Sequence, residues 1–466
     1  MEQSRVEEKK KLHSRYNPSI EAEKYIDSLP LRQGIRFFIL IEPGMGYMIP
    51  VLEKKFPGVT IVALHVEDVY PEGNVQSLLE KVIPDMEASA IEIIEWRPSL
   101  SLYKERYVHL MAETVTFIKR IDANKRTTAY FGKKWFGNFF KNIAIIDTFL
   151  VPEKYSGSCV IAGAGPSLEE VLPIIKKLKE TNNVFVLAAS SAVEPFLHAD
   201  LRPDMVIATD GGNWALFHLF STLRLHKQHR KKQENKNTLA ISTVAALPSQ
   251  AASFPVLLMT DGSRWQKIVL AELGLPFLNM IQRGTVTASA LDLAFMLFQG
   301  NVFIAGMDLA NDDIRAHARP YPLDFYMEHA DRLTCAYSAA FAHTADAMGS
   351  MSIYAEWFKK QLPSYPKRLY TIGSNNSVFS GLPSYEWAPW TNSNTGRENT
   401  MVHRSVRHKA KNTTSQKVET ILTAVIRDSS IIKQELLDLL SVQTEEELTE
   451  EICCVLKKYK KNYQLP

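Results

Sequence analysis

At 466 residues and 45% hydrophobic content the chain can supply real cores and, by length, about three domains. Its 54 Lys and Arg against 51 Asp and Glu leave a net charge of +3, which argues against nucleic acid or an acidic membrane as a general partner, so any phosphate site must be local. No run of about 18 apolar residues could span a bilayer. The amino terminus lacks a signal-peptide core, and Cys159, Cys335, Cys453 and Cys454 are too few and too badly spaced for a disulfide framework or a zinc site; the expected address is the cytoplasm.

After a polar lead, Phe37 to Ile41 reads as a buried strand, followed by a glycine turn and a helix. Strands are expected again near 60 to 66 and 90 to 97, and strands alternating with helical spacers predict a parallel sheet in a first domain over residues 30–115. Residues 116–155 turn helical and aromatic, a predicted bridge in which Asn138 and Asn142 share one helical face near Trp135. A second α/β run, residues 156–385, carries strand candidates at 158–162, 184–189, 205–209, 239–243, 256–260 and 302–305. The basic run 226–237 reads as a solvated loop and 375–413 as a linker or ordered loop. Residues 414–466 return to helical period, with Leu422, Ile426, Ile432, Leu436 and Leu440 on stripes expected to pack against the body. The fold class expected is therefore α/β, with two Rossmann-like parallel-sheet domains plus a small C-terminal helical region.

The segment SCVIAGAGPSLEE (158–170) runs from a strand through a glycine-proline turn into a helix. Gly163 and Gly165 let the backbone approach a ligand, Pro166 presets the first helical turn, and Ser167 with Glu169 and Glu170 suits its positive end. Amides over 163 to 168 would then face a phosphate. Leu168 stands where a dinucleotide fingerprint has a third glycine, and the Lys and Ser/Thr of a P-loop are missing, so a ligand-free tight turn is the competing reading.

Two later segments favour the ligand reading. Asp210 ends a strand before Gly211 and Gly212, where an acid faces the crevice of a parallel sheet, although a capping aspartate would look the same. Gly284, Thr285 and Thr287 open an alanine-rich helix, where hydroxyls and amides suit an anion or an ordinary cap, and the following strand runs into Gly306 and Asp308. The loop beyond holds Asn311, Asp312, Asp313, Arg315 and His317, and His317, able to titrate near neutrality, is the candidate general base. No Asp-x-Asp pair, HExxH or Cys-x-x-Cys occurs. A donor whose leaving group is a nucleoside monophosphate needs no metal held by such a pair, so neither metal nor cofactor is expected.

VIAGAGPSLEE, PDMVIATDGG, GTVTASALDLA, AGMDLANDDIRAHA, YAEWFKKQL and NNSVFSGLP, in this order, resemble the motility accessory factor (Maf) family, whose central domain is related to hydroxymethylpterin diphosphokinase MptE-like proteins. More distantly, the first motif and the Gly306-Met307-Asp308 turn resemble bacterial sialyltransferases that use CMP-sialic acid, with Ala164 where those carry a donor-holding asparagine. The amino-terminal EPGMGYMIP resembles the family's own Rossmann-like unit, with Leu64 and His65 where an acid could hold a ribose.

The resemblance implies a metal-independent glycosyltransferase that attaches a CMP-activated nonulosonic acid, pseudaminic or legionaminic in type, to Ser/Thr of flagellin. It implies that Gly163, Gly165, Pro166 and Ser167 hold the donor phosphate and that Asp210, Gly211, Gly284, Thr285, Thr287 and Gly306 shape the donor pocket. Asp308 and His317 would be the catalytic pair. A pterin-type pyrophosphokinase and a non-catalytic flagellin-binding motility factor are the alternatives.

Overall fold

The computed structural model describes residues 11–66, 90–232, 238–309, 317–324, 350–388, 405–407 and 414–462, apart from Gln33, Asn183 and Gln282, together with Val75, Leu78 and Leu79. It divides into two compact units, residues 1–130 and 131–466.

In the first unit, helix α1 (Pro18–Ser28) begins at an Asn17 cap, whose side chain accepts the Ile20 amide. Strand β1 (Phe37–Ile41) follows, then α2 (Met48–Lys55), β2 (Thr60–Leu64) and β3 (Ile91–Glu95). They make a parallel sheet in the order β2-β1-β3. All five residues of β1 are buried because helices or loops cover both faces of a central parallel strand. Helix α3 (Arg97–Ile145), interrupted at Lys104, runs from the first unit into the second.

The second unit is built on nine strands in the order β11-β10-β5-β6-β7-β8-β9-β4-β12. They are β4 (Thr148–Leu150), β5 (Cys159–Ala162), β6 (Phe185–Ala189), β7 (Met205–Ala208), β8 (Thr238–Ser242), β9 (Pro255–Met259), β10 (Val302–Ala305), β11 (Leu369–Thr371) and β12 (Ser405–Arg407). Every pairing is parallel except β12 with β4. Side chains alternate between faces: Cys159 and Ile161 join one core, Val160 and Ala162 another. The helices on these faces are α4 (Leu168–Asn182), α5 (Val193–His198), α6 (Ala215–Lys232), α7 (Arg264–Glu272), α8 (Val286–Leu297) and α9 (Ser350–Gln361).

The carboxyl-terminal helices are α10 (Thr414–Asp428), α11 (Ser430–Leu440) and α12 (Glu445–Asn462). Leu422, Ile426, Ile432, Leu436 and Leu440 enter one core with Phe136, Phe139 and Trp265, as their stripes predict. One expectation fails. The basic run continues α6 to Lys232 instead of forming a loop from 226, because α6 begins on the buried residues Ala215 and Leu219 and a helix once started propagates readily through Lys, Gln and Arg.

Candidate functional site

Strands β5 to β9 march one way across the second sheet, and β10 then returns to the other side of β5. The strand order therefore reverses between β5 and β10, and in open α/β sheets ligands bind outside the carboxyl ends of the strands at such a point. The two informative turns meet there. Gly163 N–H donates to Ala305 O at 2.8 Å and Gly165 N–H to Gly306 O at 2.9 Å.

The glycines are required by this approach. A Cβ on Gly163 would lie 2.4 Å from Gly306 O, and one on Gly165 would lie 2.4 Å from Asp308 Oδ2. Gly306 has φ +63°, and a Cβ there would lie 2.7 Å from Gly163 O. Thr287 borders the same corner, since its Cγ2 would lie 3.3 Å from a Gly163 Cβ.

The expected phosphate cradle needs correction. Asp308 already occupies the amino end of α4: Ser167 N–H donates to Oδ2 at 2.7 Å, and Ser167 Oγ donates to Oδ1. Leu168 N–H donates to Gly165 O at 3.0 Å, Glu169 N–H to Pro166 O at 3.2 Å, and Pro166 has no N–H. The amides of 163, 165, 167 and 168 are thus spent inside the protein, and a carboxylate stands where an anionic ligand was expected. Asp308 is a cap, held in turn by Asn376 Nδ2, which donates to its carbonyl oxygen at 2.9 Å, while Met307 N–H donates to Asn375 Oδ1 at 3.0 Å.

Other expected donor residues also have local duties. Thr285 caps α8 by accepting the Ala288 N–H at 3.0 Å, and Gly284 supplies the φ of +77° that precedes it. Asp210 Oδ1 accepts the Gly212 N–H at 2.7 Å. Gly211 lets Trp135 pack closely, for a Cβ would lie 2.5 Å from its Cδ1. The two asparagines of α3 serve the same loops: Asn138 Nδ2 donates to Gly211 O and Val244 O, and Asn142 Nδ2 donates to Thr243 O and Ala245 O, at 2.9 to 3.2 Å.

What remains available is a strap of residues 317–324 over the carboxyl edge. It is tied to the β5 turn by Ala318 N–H donating to Ala164 O at 2.9 Å and to α4 by Arg319 N–H donating to Glu169 Oε1 at 2.8 Å. His317 lies flat on Tyr321, with ring centroids 4.0 Å apart and planes 5° apart. The Tyr321 hydroxyl is 2.8 Å from His218 Nε2 on α6. Burial pushes His317 down to about 4, with a smaller contribution from His218, so it is a neutral imidazole at pH 7 and does not titrate near neutrality as expected from sequence.

Burial also lowers His218 and, on α3, Lys134, in both cases against the opposing pull of the Asp210 carboxylate. Lys134 Nζ donates to Asn213 Oδ1 at 2.6 Å. The structure thus gathers His317, Tyr321, His218, Asp210 and Lys134 around one edge, with Asp308 beneath the neighbouring turn. Asn311, Asp312, Asp313 and Arg315 lie outside the described residues. Sequence reasoning missed Lys134, His218, Tyr321, Asn375 and Asn376. Asn375 and Asn376 open the NNSVFSGLP motif, which carries the resemblance without giving either residue a role, while Tyr321, one helical turn's spacing after His317, and Lys134, beside Trp135, left weaker local hints.

Residues 133–313, within the second unit, match the family model described as 6-hydroxymethylpterin diphosphokinase MptE-like, the relation that the motifs imply. An uncharacterized protein of Treponema pallidum is 24% identical over 293 residues, which span 61% of this chain and 60% of that protein's length. The solved structure of a MAf glycosyltransferase from Magnetospirillum magneticum AMB-1 aligns over 98% of this chain and 78% of that one, with a TM-score of 0.48 and 12% identity. No helix of the described residues is long and apolar enough to cross a membrane.

Proposed function

We propose that this MptE-like protein is a glycosyltransferase of the Maf kind, moving a nonulosonic acid of the pseudaminic or legionaminic type from its CMP donor onto Ser or Thr of flagellin in the cytoplasm, in support of flagellar assembly and motility. The observation that carries the reading is the convergence of the GAGPSL turn, the Gly306-Met307-Asp308 turn, Thr287 and Asn376 at the point where strand order reverses, with the His317 strap across it.

On this reading the donor lies on the β6–β7 side of the capped turn, oriented by Asp210 and Thr287. As the bond from the anomeric carbon to the CMP oxygen breaks, negative charge grows on the phosphate, and Lys134 is the cation of the described edge that meets it. The acceptor hydroxyl forms the new bond to the anomeric carbon and releases its proton to His317. A neutral imidazole is ready to accept it, although a conjugate acid of about 4 makes it a weak base, suited to a late transfer after bond cleavage has advanced. Gly163, Gly165, Pro166 and Gly306 build the turn and do not touch the donor.

Incubation of the purified protein with flagellin and CMP-sugars, read by intact mass, tests this. A mass increment of one nonulosonic acid per site, retained in the presence of a chelator, is expected. Flagellin that is bound but never gains mass with any CMP-sugar would instead make this a non-catalytic binding factor.

A second reading is favoured by the description of the matching family, a pyrophosphokinase acting on a pterin alcohol. Transfer from ATP ordinarily runs through Mg²⁺ held by carboxylates. Both Asp308 oxygens are engaged by Ser167 and Asp210 already serves Gly212, so the described carboxylates fit such an ion poorly. Magnesium-dependent release of AMP from ATP and a hydroxymethylpterin would replace the transferase reading.

A further inference from the structure

The first unit has its own point of strand reversal, between β1 and β3, and the chain itself fills the crevice there. His13, from the arm that precedes α1, is buried with its ring stacked on Trp96 at 5.2 Å and 19°, and Tyr47 presents its edge at 4.9 Å and 80°. Its Nε2 accepts the Met45 N–H at 3.0 Å from the Gly44–Gly46 turn after β1. Trp96 Nε1 donates to Leu12 O at 3.2 Å, fixing the arm over the crevice.

The turn is shaped around that ring. Gly44 has φ +63°, and a Cβ on it would lie 2.4 Å from His13 Nε2, so a side chain at residue 44 and a ring in the crevice exclude each other. Beneath it, Glu42 is fully buried at the carboxyl end of β1, with Oε1 3.1 Å from His65 Nδ1 and Oε2 accepting the Val66 N–H at 2.6 Å. The other nitrogen of the plug, His13 Nδ1, is buried with no hydrogen-bond partner among the described residues, the Glu21 carboxylate standing 3.9 Å away.

We propose that this crevice is a binding site for a neutral planar nitrogen heterocycle of the purine-nucleoside class, and that His13 is its built-in competitor, displaced with its arm when the ligand enters. An aromatic face, an aromatic edge and a main-chain donor aimed at a ring-nitrogen lone pair are the contacts a purine needs. A fused ring covers more of Trp96 than an imidazole does, and it need not bury the unpartnered polar atom that His13 Nδ1 leaves in the crevice. The Glu42 carboxylate, already engaged by His65 and the Val66 N–H, holds the wall of the crevice and is not itself a ligand contact.

Calorimetric titration of the full-length protein with adenosine tests the proposal. His13→Ala removes the competitor and leaves Trp96, Tyr47 and the Met45 N–H, so adenosine should bind it at least tenfold more tightly than the unaltered protein. His13→Phe keeps the crevice filled and should bind no better than the unaltered protein. Equal or undetectable binding by a His13→Ala protein with native near-UV circular dichroism would overturn the proposal.

If that variant does not fold, the unaltered protein decides. Saturating adenosine should raise the rate of tryptic cleavage after exposed Arg15 several-fold, as the arm leaves. An unchanged rate together with no heat of binding overturns the site.

Discussion

The two glycine turns, one after β1 and one after β5, solve the same problem with opposite chemistry. Each follows the strand at which its sheet reverses order, each brings backbone close to a neighbour, and each has an amide taken by a side chain from elsewhere in the chain. In the second unit the occupant is a carboxylate three residues beyond β10, bonded through both oxygens and placed at the positive end of the 15-residue α4. In the first it is a neutral imidazole on a separate arm, with one nitrogen left unpartnered among the described residues. A charged cap within the sheet's own loops is part of the fold; a neutral ring on an arm is a replaceable guest. A glycine pair in sequence does not say which of these it serves.

Substitution at Gly165 gives the largest expected effect. Were residues 163 to 168 the phosphate cradle expected from sequence, Gly165→Asp would abolish donor binding and spare the fold. The structure changes that expectation, since the new Cβ would lie 2.4 Å from Asp308 Oδ2 and 2.8 Å from Gly306 O and would bring a second carboxylate against the first. A loss of about 3 kcal/mol or more is expected by denaturant unfolding. Unchanged stability would mean that the two turns do not close on each other.

Asp308→Ala sharpens the comparison directly. Removing the cap should cost about 1–2 kcal/mol through the bare Ser167 N–H and the unbalanced end of α4, a smaller loss than at Gly165. It should also open the turn to inorganic phosphate, so that added phosphate raises the melting temperature of the variant and not of the unaltered protein. Asp308→Asn keeps an acceptor and should recover most of the stability without the response to phosphate.

Asn142→Ala is expected to cost about 1–2 kcal/mol, since it leaves two buried carbonyls of the β8 loop without their donor. The same experiment bears on what could be read in advance. The shared helical face of Asn138 and Asn142 was visible as periodicity; that the face meets the carbonyls of residues 243 to 245 was not, because nothing local pairs positions about a hundred residues apart.

The long apolar strands were legible, Phe37–Ile41 and Val302–Ala305 to the residue, because strands buried on both faces write continuous apolar runs. Strands β4, β11 and β12 were not, for three residues carry no period. The turns were legible as places and illegible as sites. Whether Ser167 N–H meets a ligand or Asp308 depends on a residue 141 positions away. The His317–Tyr321–His218 chain likewise exists only once the strap and α6 are folded against one edge.

The smallest expected effect at pH 7 concerns that chain and separates its role from that of Asp308. His317 is depressed to about 4 in the folded protein, against 6.5 for an ordinary imidazole, because burial against Tyr321 and the neighbouring His218 disfavour its charge. The unfolded chain therefore binds the proton first as pH falls, so the destabilisation begins below about 6.5 and is complete near 4, reaching at most about 3 kcal/mol once the partial exposure of the ring is allowed for. His317→Gln should flatten the stability profile over that window and leave stability at pH 7 within about 1 kcal/mol of the unaltered protein. It should also remove the acidic limb of any transfer activity, which for the unaltered protein belongs near pH 4 and not near 6.5. An acidic limb that stays near 6.5 in both proteins would assign the proton to another group and leave His317 as packing for Tyr321.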